Sequence, residues 1–118
     1  MKKRGLIENT HSYCYIKVMI QITSKQRKYL EKSAHDLEPV VIVGGNGVTD
    51  SLVNMVAQTL ASHELIKVKF NEFKDDRQEL SLMISEKTDS TLVRIIGNVA
   101  IFYKENEDPE KRQFNLPE

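Results

Sequence analysis

The sequence predicts a compact α/β domain of the α+β type, in which three helices cover a four-stranded mixed sheet. Apolar residues recur first at helical and then at strand spacing, which gives the element order α-β-α-β-α-β-β. The last two apolar runs are joined by Gly97-Asn98, a two-residue link typical of a β-hairpin. The chain has 118 residues, of which 40% are hydrophobic and 29% charged, so it can form one domain with a substantial core.

Each predicted helix begins at an N-terminal signal or a clear apolar period. Thr23 and Gln26 have the spacing of a capping box and open the first helix. Thr49 is a good N-cap for a second helix, which is predicted to end near residue 62. A third helix is predicted over residues 75–87, where apolar residues return at helical spacing.

The predicted strands differ in how much of their surface is buried. After Pro39, which ends the first helix, residues 40–43 form an unbroken apolar run typical of a fully buried strand. Residues 65–70 alternate apolar and lysine positions, which is typical of a strand with one face in the core. Residues 91–96 and 99–103 are the two arms of the hairpin.

The segments outside this pattern are predicted to be accessory. Residues 1–18 do not share the periodicity of the rest of the chain and are interpreted as a disordered N-terminal extension. The domain itself is placed at residues 19–104. Residues 105–118 are charged and contain two prolines, so they are predicted to form an extended or frayed C-terminal tail.

Composition excludes several environments. The single cysteine, Cys14, cannot form an internal disulfide, so we expect a reducing compartment and a cytoplasmic location. No apolar run approaches the roughly 20 residues that span a bilayer, so no membrane is expected. The three histidines are far apart in the sequence and no catalytic set is legible, so no metal, cofactor or catalytic residue is predicted.

The charge of the chain does not identify a general nucleic-acid binder. Such domains are usually strongly basic, whereas this chain has a formal net charge of zero. Two basic clusters stand out nevertheless: a pair on one strand face, Lys67 and Lys69, and a group in the first helix. The helix group consists of Lys25, Arg27, Lys28 and Lys32. Each cluster is either solvated surface or a local patch that binds phosphates.

The most informative stretch is Gly44-Gly45-Asn46-Gly47, which lies between an apolar strand and the N-cap Thr49. It can be a simple strand-to-helix turn, since Gly and Asn tolerate positive φ. It can equally present bare main-chain N–H groups and a helix N-terminus to an anion. The commonest polyanion that a small protein meets is nucleic acid.

Two segments of the chain resemble the YhbY-like proteins, the stand-alone bacterial form of the CRM (chloroplast RNA splicing and ribosome maturation) domain. They are residues 35–49, HDLEPVVIVGGNGVT, and residues 63–69, HELIKVK. The similarity extends over about residues 19–104. Gly45 occupies a position where the family often has lysine or serine, and the tail is more acidic than the family's.

The resemblance implies a non-catalytic RNA-binding domain similar in fold to the C-terminal domain of bacterial translation initiation factor three. It implies ribosomal RNA of a large-subunit precursor as the partner. We further expect a monomer that does not bind DNA. The predicted RNA-binding residues are Gly44, Gly45, Asn46, Gly47, Lys25, Arg27, Lys28, Lys32, Lys67 and Lys69.

Two other classes stay open. One is a nucleotide- or phosphate-metabolite-binding enzyme that uses the glycine loop as a phosphate cradle. Against this, the loop lacks the lysine and Ser/Thr that end a P-loop. The other class is a ribosome-associated module that binds protein rather than RNA.

Overall fold

The computed structural model describes residues 22–117, so the extension predicted for residues 1–18 lies outside the described residues. The elements appear in the predicted order and confirm the α+β class. The helices are α1 (Ser24–Ala34), α2 (Asp50–His63) and α3 (Arg77–Thr88). The strands are β1 (Val41–Val43), β2 (Leu65–Phe70), β3 (Thr91–Ile96) and β4 (Val99–Tyr103). Short 3₁₀ turns, Lys74–Asp76 and Pro109–Lys111, precede α3 and follow β4.

The four strands form one mixed sheet in the order β1-β2-β4-β3. β1 is parallel to β2, with Val43 opposite Phe70, and β4 is antiparallel to both of its neighbours. The register between β3 and β4 shifts between Leu92 and Arg94. This bulge adds one residue to β3 and allows the buried Val93 to join the core beneath α1.

Each face of the sheet has its own core. On one face α2 and α3 bury large side chains such as Phe70 and Phe102. On the opposite face α1 packs Leu30 and Ala34 onto strand residues that include Ile101. Because one face is covered by two helices and the other by a single helix, part of the α1 face is left open.

The first strand differs from the prediction. Val41 and Val43 are buried, but Val40 and Ile42 are 47% and 54% exposed, so the expectation of a fully buried strand was wrong. β1 lies at the edge of the sheet, and α1 contacts β2, β3 and β4. The unbroken apolar run therefore has one side in the core and the other facing outwards.

Both predicted helix caps are present. Thr23 Oγ1 accepts from the Gln26 N–H and Gln26 Oε1 accepts from the Thr23 N–H, each at 3.0 Å, which completes the capping box of α1. Thr49 Oγ1 accepts from the Leu52 N–H at 3.1 Å at the start of α2. Local sequence thus determines where these helices begin.

The C-terminal segment lies against the domain and is held by a buried glutamate. Glu64 caps α2 with a left-handed φ of 63° and is fully buried. Its carboxylate accepts from the backbone N–H groups of Asn106 and Gln113, both at 2.6 Å. These two backbone hydrogen bonds compensate the buried negative charge of the carboxylate and fix the path of the tail at two points.

Beyond Glu64 the tail completes the core beneath α1. Phe114 packs edge-on against Tyr103, with ring centroids 6.4 Å apart, and Leu116 packs against the same cluster. Gln26 Nε2 of α1 donates to Pro117 O at 2.9 Å. Burial is the main reason that the pKa of Tyr103 is raised to about 12.

We predict that Glu64→Gln loosens the tail. An amide places its NH₂ against one of the two backbone N–H groups, and hydrogen bonds to charged groups contribute about 1.5–3 kcal/mol. We expect the free energy of unfolding in urea to fall by about 2 kcal/mol, and the chain after Lys104 to become sensitive to limited proteolysis. Glu105→Gln, which changes a half-exposed carboxylate on the same tail, is the control. An unchanged unfolding curve and cleavage pattern would assign the docking of the tail to its apolar contacts alone.

Candidate nucleic-acid interface

The glycine loop is a surface turn at the end of β1. The Gly47 N–H donates to Gly44 O at 3.0 Å and closes a four-residue turn. Gly45 and Asn46, at its tip, are exposed, while the two flanking glycines are half-buried. Within this loop only Gly47 has a positive φ, at 71°. The backbone conformation therefore requires glycine at position 47 alone.

The other two glycines face open space. A Cβ atom added at Gly44 or at Gly45 would meet no described atom within 4 Å. Neither crowding nor backbone conformation within residues 22–117 therefore calls for glycine at these positions. Because these side chains are missing, another backbone has room to approach the main-chain N–H groups. Recognition of a sugar-phosphate strand requires such an approach.

Phe73 packs beneath the loop, and no pattern in the sequence predicted this role. Its ring lies 3.4 Å from the position that a Cβ of Gly47 would occupy. The backbone N–H groups of Asn71 and Glu72 donate to Val43 O, so the chain leaving β2 wraps around the end of β1. Phe73 has a left-handed φ of 58°, which is rare for a bulky residue and leaves no local signal in the sequence.

The N-terminus of α2 is less open to an anion than the sequence suggested. The hydroxyl of Thr49 already accepts the N–H of Leu52, and the carboxylate of Asp50 stands in the first turn. A carboxylate there interacts with the helix dipole itself and repels a second anion. The N–H groups of the loop are consequently better placed than those of the helix to meet a phosphate.

The pairing of β1 with β2 places a lysine beside the loop. Ile42 pairs with Lys69, and Gly44 follows Ile42 by two residues. Lys69 is therefore about 7 Å from Gly44 along the direction of the strand. Lys69 is exposed, and Lys67 lies on the same face of β2. Lys67 Nζ donates to His35 O at the end of α1, at 3.2 Å, and so links the strand to the helix.

The four basic residues predicted in the first helix lie in three different places. Lys28 and Lys32 line a groove of about 760 Å³ between α1 and the open part of the sheet, and Lys67 lines it from the strand side. Arg27 instead donates to backbone carbonyls of β3 and attaches α1 to the sheet. Lys25 is exposed one turn earlier and lies outside the lining of the groove.

Two acidic residues also line this groove. Glu31 forms an ion pair with Arg94 of β3 at 3.2 Å, so its charge is offset. Glu38 contributes one further negative charge. The lysines outnumber these acids, and the groove carries a local positive surplus within a chain of zero net charge.

Within residues 22–117 no group of three or more His, Cys, Asp and Glu side chains could hold a metal ion. In the same range no helix is both long enough and apolar enough to cross a membrane.

The structure is thus a small α+β domain with an exposed glycine turn close to Lys69. A lysine-lined groove lies on the same face of the sheet as Lys69. The chain belongs to the CRS1/YhbY (CRM) domain family, whose model matches residues 22–104. This confirms the family that the sequence analysis proposed.

Relatives and a solved structure agree with this assignment. YqeI of Bacillus subtilis, named a probable RNA-binding protein, is 35% identical over 97 residues, which cover 81% of this chain and 99% of that protein. An RNA-binding protein of Haemophilus influenzae is 34% identical over 91 residues, covering 76% of this chain and 92% of that protein. The solution structure of a candidate RNA-binding protein from Staphylococcus aureus is similar with a TM-score of 0.67 at 36% identity, covering 81% of this chain and 99% of that one.

We predict that alanine acts differently at two glycines of the loop. Gly47→Ala should lower the free energy of unfolding by about 1–2 kcal/mol, because a left-handed φ disfavours a side chain. Its Cβ would also press on Phe73. Gly45→Ala should change stability by less than about 0.5 kcal/mol, since its Cβ enters open space. Urea denaturation measures both, and equal losses would contradict the assignment of the strained position to residue 47.

Proposed function

We propose that this protein is a non-catalytic RNA-binding protein that engages structured ribosomal RNA through its glycine loop and the adjacent lysines. The observation that carries the proposal is the open space above Gly44 and Gly45, next to the exposed Lys69. Membership of the CRM family, and the names of its relatives, support RNA as the ligand.

The proposed contact has a main-chain part and a charge part. The N–H groups of the loop meet the ribose-phosphate backbone, which can come close because two side chains are missing. Lys69, Lys67, Lys28 and Lys32 then neutralise neighbouring phosphates. Such contacts release counterions and give affinity without reading the base sequence.

Acidic residues suggest the direction in which the strand leaves the loop. Asp50 opens α2, and Glu72 lies on the segment that leads to α3. Both helices cover the face of the sheet opposite to α1. Phosphates are repelled on that side, so the strand is expected to run towards Lys69 and the α1 face.

The acidic tail is held away from this surface. It begins beside Glu64, immediately before β2, whereas the loop lies at the other end of that strand. Six strand residues span about 20 Å. Since the Debye length is about 8–10 Å at physiological salt, the tail repels RNA at the loop only weakly.

We place this contact in the assembly of the large ribosomal subunit, the setting that the resemblance to the YhbY-like proteins implies. In this proposal the protein acts as a cytoplasmic monomer without a cofactor, and its ligand is RNA rather than DNA. A nucleotide-binding enzyme would instead be stabilised by ATP or GTP in a thermal-shift assay, which this proposal does not expect.

The first test places a charge in the loop without disturbing the fold. Gly45→Asp should weaken binding to fragments of large-subunit ribosomal RNA by about ten-fold or more, because a carboxylate meets the phosphate backbone. Gly45→Ala fills the same space without charge and is the matched control. Fluorescence anisotropy measures affinity, and circular dichroism checks the fold. Equal affinities for a folded Gly45→Asp protein and the wild type would remove the loop from the interface.

The second test concerns the lysines. Lys69→Gln and Lys28→Gln should each reduce the slope of log affinity against log salt concentration by about 0.7–0.9, as one phosphate contact is lost. Lys87→Gln alters an exposed lysine on α3, across the sheet, and should leave the slope unchanged. The same slope in all four proteins would exclude these lysines from the contact.

A further inference from the structure

Two rows of side chains cross the α1 face of the sheet at the end towards the glycine loop, where α1 covers Ile101 but leaves several of the others exposed. The row nearer the glycine loop takes one residue from each strand: Ile42, Lys69, Val99 and Ile96. The next row is Val40, Lys67, Ile101 and Arg94. With strands about 4.8 Å apart, each row is about 14 Å long. We call these two rows, together with Leu37 beside them, the open sheet face.

Four apolar residues of this face are exposed by more than a third of their surface. Ile42 is 54% exposed, Ile96 51% and Val40 47%. Six large hydrophobic residues within 22–117 are exposed, and four of them, Leu37 included, belong to the open sheet face. Apolar residues gathered on one face mark a site of interaction, whereas scattered ones need no explanation.

The charges of the face select the kind of partner. Lys67 and Lys69 stand at the centre of the two rows, and α1 brings Lys28 and Lys32 to the adjoining groove. The ligand must therefore offer apolar surfaces to the isoleucines and negative charge to the lysines at short, regular distances. An unpaired RNA strand does so, since each nucleotide joins a base with two open faces to a phosphate.

Duplex RNA fits this face less well. Its bases are stacked on one another, and it presents mainly phosphates and 2′-hydroxyl groups to a protein. Such a surface could contact the lysines, but it would leave the isoleucines without an apolar partner. The exposed apolar side chains thus favour a strand whose bases are splayed out.

The face also continues directly from the loop. Ile42 lies two residues before Gly44, so a strand that leaves the loop on the α1 side meets Ile42 and Lys69 first. The groove beyond them, at about 760 Å³, lies within the range of small-molecule sites, and Leu37 and Val99 are among the apolar residues that line it.

We propose that the open sheet face binds unpaired nucleotides of the strand whose backbone the glycine loop holds, and that the protein thereby selects single-stranded over duplex RNA. This inference rests on the proposed function. It adds that the RNA is single-stranded where it is bound, and that apolar side chains of the sheet contact its bases.

The test uses the double variant Ile42→Ser and Ile96→Ser, whose side chains are half-exposed and whose loss leaves the core intact. Met55→Ser is the matched control, because Met55 is 52% exposed and lies on α2, across the sheet. The full chain is titrated with a single-stranded RNA, with the same strand in a blunt duplex, and with an abasic strand of equal length. Anisotropy measures each affinity.

We expect the wild-type protein to bind the single strand about ten-fold more tightly than the duplex. The double variant should lose about ten-fold on the single strand, and less than about two-fold on the duplex and the abasic strand. Gly45→Asp should weaken binding of all three, since it acts on the backbone contact.

The outcomes separate this inference from the proposed function. If the wild type binds no RNA, both are overturned. If Gly45→Asp weakens binding but the double variant behaves like Met55→Ser, the proposed function stands and the inference is wrong. Equal losses on all three RNAs would also overturn it, because the bases would not be the contact. Loss of association with ribosomal particles, with unchanged RNA affinity, would assign the face to a protein partner instead.

Discussion

The candidate interface depends on the parallel pairing of β1 with β2. Of the three strand pairings in residues 22–117, only this one is parallel, so the segments that follow β1 and β2 leave the sheet at the same edge. The glycine loop continues one strand, and the segment that carries Phe73 continues the other. A shift of the register by one residue would turn Ile42 into the core and move Lys69 away from the loop.

Charge segregation reconciles a neutral chain with a polyanionic ligand. The lysines of α1 and β2 gather on the open side of the sheet, while the acidic tail is fixed by Glu64 at the far end of β2. Screening by salt then allows the two regions to act almost independently. Net charge describes the solubility of such a protein better than its capacity to bind phosphate.

The sequence was sufficient for features that depend on nearest neighbours. The capping box at Thr23, the N-cap Thr49 and the Gly97-Asn98 hairpin are all encoded within four residues, and all are present. Features that depend on strand order could not be predicted in this way. Residues 40–43 look equally apolar whether a strand is central or at an edge, so the exposure of Ile42 had no local sign.

Long-range contacts explain the remaining differences. Arg27 resembles its lysine neighbours in sequence, yet the β3 carbonyls that it meets lie about 65 residues away along the chain. The composition of the tail predicts an extended or frayed segment, but its path is determined by Glu64, which belongs to another element. The left-handed backbone of Phe73 also depends on a long-range contact. The N–H groups of Asn71 and Glu72 donate to Val43 O, so the chain turns around the end of β1 just before Phe73.

The hydrogen bond between Gln26 and Pro117 brings the two ends of the described domain together, at the pole away from the glycine loop. Domains with neighbouring ends can be inserted into a longer polypeptide or strung in tandem without rearrangement. A segment joined to either end would therefore start from the same side of the domain.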